Sequence, residues 1–117
     1  MSLSKFTNNN LVIFKGGIYK ITQINTNSDD IFYLLELLAY LESSTGNIDT
    51  NISKKIEARE NELEKFEYSS PRYPMGTRLS GGKEVYLVVF KNNTHTYRYN
   101  LFGDNSIIAN LPEEDLT

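Results

Sequence analysis

The chain has 117 residues and a formal net charge of −3, from 12 Lys and Arg against 15 Asp and Glu. That length holds one hydrophobic core, and the acidic balance provides no global positive field, so any phosphate recognition needs a local basic patch. With no cysteine and one histidine, disulfides and thiolate chemistry are excluded, no metal site or cofactor is expected, and the chain fits a reducing, cytoplasmic setting.

The first ten residues, MSLSKFTNNN, are polar and rich in asparagine. They read as a frayed lead-in with no signal peptide. Leu11–Phe14 is a short apolar run, Lys15-Gly16-Gly17 a turn signal, and Ile18–Ile24 alternates like a strand. Together these form an N-terminal hairpin, or else one strand with an apolar arm. Nowhere is there an apolar run long enough to span a bilayer.

After a polar break, Ser28 or Asp29 can cap a helix. Ile31, Leu34, Leu35, Leu38 and Leu41 recur at helical spacing, which predicts a buried helix ending near Ser43–Asn47. Asp49, Thr50 or Asn51 can cap a second helix. Ile52, Ile56, Leu63 and Phe66 mark its apolar stripe, and lysines, glutamates and Arg59 fill the outer face. Tyr68–Gly76, with two prolines, breaks that helix.

Lys83–Phe90 is apolar on both faces and suits a central strand. Asn92-Asn93 can close a hairpin. Thr94–Leu101 alternates, with His95, Tyr97, Tyr99 and Leu101 on one face and Thr96, Arg98 and Asn100 on the other. Gly103-Asp104-Asn105 turns the chain into a last strand, Ser106–Leu111. The expected order is β-α-α-β-β-β. This describes a single α+β domain, residues 1–117, with a two-helix hairpin on a mainly antiparallel sheet of about four strands and an acidic tail over 112–117.

In that order the chain resembles the RelE/ParE-type toxins of toxin–antitoxin systems, over roughly residues 18 to 111. The resemblance rests on Tyr19-Lys20-Ile21, on the leucines and Tyr40 of the expected first helix, and on Leu63 to Pro71 before Arg78-Leu79-Ser80-Gly81. It continues through Tyr86 to Lys91, Tyr97-Arg98-Tyr99-Asn100-Leu101 and Ile107-Ile108-Ala109. It implies a toxin that cleaves mRNA at the ribosome or inhibits DNA gyrase, held silent by a cognate antitoxin. The catalytic residues would be Arg98, Lys91 and His95, and the RNA or target contacts Arg78, Lys83, Tyr97 and Tyr99. Two departures stand out. Ser80 replaces a basic residue frequent in nucleolytic members, and Glu113-Glu114-Asp115 is acidic where positive charge is usual.

Each residue also has a plainer reading. Arg98 can bind a phosphate bidentately, or it can be a solvent-facing arginine. His95 can serve as a general base, or it can be a surface turn residue. Tyr97 and Tyr99 read first as core residues with hydroxyls at the rim. Arg78, Lys83, Lys91 and Arg98 form a basic patch only if the fold gathers them. Neither glycine pair opens a phosphate loop. The alternative function is a non-enzymatic binding protein, such as a phage-encoded inhibitor or an immunity-type partner. A metabolic enzyme has no supporting fingerprint.

Overall fold

A computed structural model describes residues 5–27 and 30–116. Ser28 and Asp29, expected as helix caps, lie outside the described residues.

The expected α+β fold is corrected. The structure is 52% strand and 6% helical, with no helix of seven residues or more among the described residues, and both expected helices are replaced. Eight strands form one mixed sheet: β1 Leu11–Phe14, β2 Gly17–Asn27, β3 Asp30–Leu41, β4 Lys55–Arg59, β5 Glu64–Lys65, β6 Glu84–Lys91, β7 Thr96–Gly103 and β8 Ser106–Pro112. Two short 3-10 turns, Glu60–Glu62 and Glu113–Asp115, follow β4 and β8.

The first expected helix is β3. Its segment DIFYLLELLAYL is apolar at nearly every position, so it satisfies a period of 2 as well as 3.6. Neighbouring strands decide between them. Tyr33, Leu35 and Leu37 are buried together, with Ile31 packed on the same cluster, at strand spacing. The second expected helix is β4, a 3-10 turn and β5. There Ala58 is buried and Ile56 partly so, while Lys55, Glu57 and Arg59 face solvent, an alternation rather than a helical stripe.

The sheet runs β5-β1-β2-β3-β6-β7-β8, with β4 also paired to β3. β2 occupies one edge of β3 along its length. The other edge is divided. Phe32–Glu36 pair with β4, and Tyr40–Leu41 pair in parallel with Val89–Phe90 of β6. At the two ends of the run β5-β1-β2-β3-β4, β4 and β5 are consecutive in sequence, joined by the four residues Glu60–Leu63. The run therefore curls into an open barrel around Val12, Phe14, Tyr19, Ile21, Tyr33, Leu35 and Leu37. The β6-β7-β8 meander packs on the outside of this barrel. Val85, Val88, Phe90, Tyr97, Tyr99 and Leu101 meet Ile18 and Ala39 in a second core.

Irregularities in the β2–β3 ladder fit the two cores. Tyr19 pairs with Leu37 while Ile18 pairs with Ala39, leaving Leu38 as an extra residue. Leu37 consequently belongs to the barrel core and Ala39 to the outer one. Gly17 sits where a Cβ would come within 2.7–2.8 Å of Ile52, Leu37 and Tyr19.

The described part of the lead-in is docked. Phe6 is 2% exposed and packs edge-on against Tyr33, with ring centroids 5.6 Å apart. Asn9 N–H donates to Ile21 O and Ile21 N–H to Asn10 O. Phe6→Ala should therefore lower unfolding free energy by about 3 kcal/mol in chemical denaturation. A frayed segment would show no change.

Candidate functional site: the polar cleft and the open edge

Sequence reasoning placed seven residues at the site. The fold separates them. Arg78 and Lys83 lie just before β6, where the Arg78 backbone pairs with that of Glu84 in an isolated antiparallel bridge and Leu79 N–H donates to Lys83 O. Lys91 closes the other end, its Nζ 3.8 Å from Glu42. An eight-residue strand is about 23 Å long, so the four basic residues do not gather into one patch.

His95, Tyr97 and Arg98 do meet, in a cleft of ≈310 Å³ also lined by Tyr68, Glu113 and Glu114. The β6–β7 turn spans Asn92–His95, and His95 takes the left-handed conformation (φ 56°) expected of an asparagine. Its ring stacks on Tyr68 at 4.6 Å and 17°. Among the described residues no hydrogen bond orients the imidazole, as a catalytic base requires. Arg98 lies in the cross-strand row Tyr40–Val89–Arg98–Pro112. Its Nε is buried without a hydrogen-bond partner. Glu113 and Glu114 place negative charge in the same cleft, which opposes a phosphate.

Tyr97 and Tyr99 belong to the core, at 9% and 0% exposure. Tyr97 donates its hydroxyl to Ser69 O at 2.6 Å. Tyr99 donates a short hydrogen bond to Glu113 Oε1. Arg72 N–H is shared between that carboxylate at 3.0 Å and the Tyr99 hydroxyl at 3.2 Å. Glu113 is thus a structural anchor rather than part of a free tail, and Leu116 beyond it is buried. Burial pushes both phenols above their ordinary range, and the nearby Glu113 carboxylate adds to the effect. Among the described residues no group of three His, Asp or Glu could hold a metal.

Sequence reasoning missed the open edge at β8. Gly103 and Ser106 flank the two-residue turn Asp104-Asn105, both at positive φ. Phe102 and Ile107 form the next pair. In a hairpin of this kind that pair is not hydrogen-bonded, so Ile107 turns its N–H and C=O away from β7. Ile107 is 58% exposed and Phe102 49%. The signal in the sequence was the charge-free run Ser106–Pro112 between Asp104 and Glu113.

No protein-family model, no curated protein and no solved structure matches this chain. No helix among the described residues is long and apolar enough to cross a membrane.

Two outcomes follow from the tyrosines. Tyr99→Phe should cost about 1–2 kcal/mol, because it removes a donor to a carboxylate that stays in place. A raised folded-state pKa means that Tyr97 and Tyr99 contribute stability in full below the unfolded tyrosine value of about 10, and lose it as pH rises further. Denaturation midpoints should be insensitive to these groups up to about pH 10 and fall above it, less steeply in Tyr97→Phe/Tyr99→Phe.

Proposed function

We propose that this chain is a non-enzymatic binding protein that recognises another protein through the β7–β8 edge. The observation that carries this reading is the contrast between the sheet's edges. β4 shows Lys55, Glu57 and Arg59 to solvent, and β5 is two charged residues long. Charge and shortness are the devices that block strand pairing. β8 carries no charge over Ser106–Pro112 and is regular over Ser106–Ile108, ahead of its bulge at Asn110 and of Pro112, and the exposed Phe102–Ile107 pair lies in that regular part. An inhibitor that acts by occupying its target needs a surface of this kind and no reaction chemistry.

Cleavage of RNA is a second reading with one supporting observation, the shared cleft of His95 and Arg98. The element order behind the toxin resemblance is absent, because the two-helix hairpin is built of strands.

Immobilised protein should retain a near-stoichiometric partner from a lysate of its source. Ile107→Lys should lose that partner without a change in melting temperature. Purified protein added to translating ribosomes should leave mRNA intact. RNA cleavage that Arg98→Ala abolishes would instead establish the nuclease.

A further inference from the structure

Building on the binding reading above, we infer that the β8 edge takes an extended segment of another protein, apolar at alternate positions and carrying Lys or Arg at both ends. The chemistry of that segment follows from what surrounds the edge. β8 pairs in register over Ser106–Ile108 and bulges at Asn110 (φ 62°), whose N–H goes to Asn100 Oδ1, so the edge has room for a short added strand centred on Ile107. Ile107 projects on one face beside Phe102, and Ile108 and Leu111 pack toward the outer core on the other. An incoming strand therefore meets apolar surface on both faces at alternate positions, with backbone hydrogen bonds supplying the rest.

Both ends of the edge are acidic. Asp104 stands in the turn before Ser106, and Glu113, Glu114 and Asp115 follow Pro112. Glu114 and Asp115 are exposed, and so is Asp104. The basic residues near the two ends are Lys83 beside Gly103, Arg98 on β7 opposite Pro112, and Arg72, which meets Glu113 through its backbone N–H while its guanidinium lies over the Tyr73 ring. A second copy is a poor occupant. Antiparallel pairing of β8 with itself about a two-fold axis sets Asp104 of each copy against the Glu113–Asp115 turn of the other. A segment with basic ends turns both of those repulsions into attractions.

The test selects displayed random peptides on purified wild-type protein, with Ile107→Pro as the counter-target. Proline there removes an N–H that does not serve β7, so the hairpin ladder stays paired. Selected peptides should alternate apolar residues between basic ends. As synthetic peptides they should bind Ile107→Pro at least about tenfold more weakly, and their affinity should fall with added salt. Asp104→Asn/Glu114→Gln keeps a residue that tolerates positive φ at the turn. It should bind the same peptides more weakly and with a smaller salt effect.

Selection without basic ends, or unchanged affinity in Asp104→Asn/Glu114→Gln, would overturn the charge inference and leave the edge reading standing. No selected peptide, or equal binding to a folded Ile107→Pro, would overturn both. A concentration-dependent dimer in sedimentation that Ile107→Pro abolishes would assign the edge to a second copy. If Ile107→Pro fails to fold, peptides N-methylated at alternate amides replace it, with the same loss expected.

Discussion

The structure depends on β3 being paired on both edges, buried on its barrel face and buried again on its outer face at Ala39. One twelve-residue strand carries the inner wall of the barrel through Tyr33, Leu35 and Leu37, and reaches the outer core through Ala39. β2 fills one edge while β4 and β6 share the other. The parallel join to β6 involves two residue pairs, so apolar packing carries most of the attachment of the meander to the barrel. The barrel-facing row of such a strand has to be apolar, and the outward row is apolar except at Glu36, which faces solvent, so the run is apolar at nearly every position.

The same arrangement fastens an irregular segment to each core. In the barrel, Tyr33 donates to Glu60 Oε2 at 2.9 Å, and its hydroxyl accepts from Phe6 N–H at 3.2 Å. In the outer core, Tyr99 donates to Glu113 and its hydroxyl accepts from Arg72 N–H. Both glutamates open a 3-10 turn that follows a strand. The buried ring fills the core, and the hydroxyl passes a hydrogen bond to a carboxylate at the rim. That carboxylate satisfies backbone N–H groups that no strand can reach. Many tyrosines with no tryptophan suit such a fold, because a phenol both accepts and donates whereas an indole only donates.

The meander was legible and the middle of the chain was not, for a physical reason. Lys83–Phe90, Thr94–Leu101 and Ser106–Leu111 were bounded by asparagine, aspartate and glycine turns and rich in β-branched or aromatic residues. Their observed bounds differ by one or two residues at the ends. Leu11–Phe14 and Ile18–Ile24 likewise return as β1 and β2. Ile31, Leu34, Leu35, Leu38 and Leu41 fit a helical period, the leucines carry helical propensity, and only tertiary pairing overrides them. The charged residues between Lys54 and Lys65 mimicked a solvated helix face, while the strand signal there was only Ile56 and Ala58. The faces of Tyr97 and Tyr99 were read from alternation alone. The cleft around His95 and Arg98 was not, because Tyr68 and Glu113 reach it from distant parts of the chain.

Arg98 and β8 represent different kinds of incompleteness. The buried Nε of Arg98 lacks one hydrogen bond, a shortfall that a single water can make good. Its neighbours Glu113 and Glu114 already supply negative charge to the cleft, so no anionic substrate is needed to balance it. The edge of β8 lacks a whole side of a ladder, beside two large apolar side chains left in water. Solvent satisfies its polar groups but not the apolar pair. A strand from another chain meets both needs at once. The surface that distinguishes this fold from a self-contained sheet is therefore its last strand and not its polar cleft.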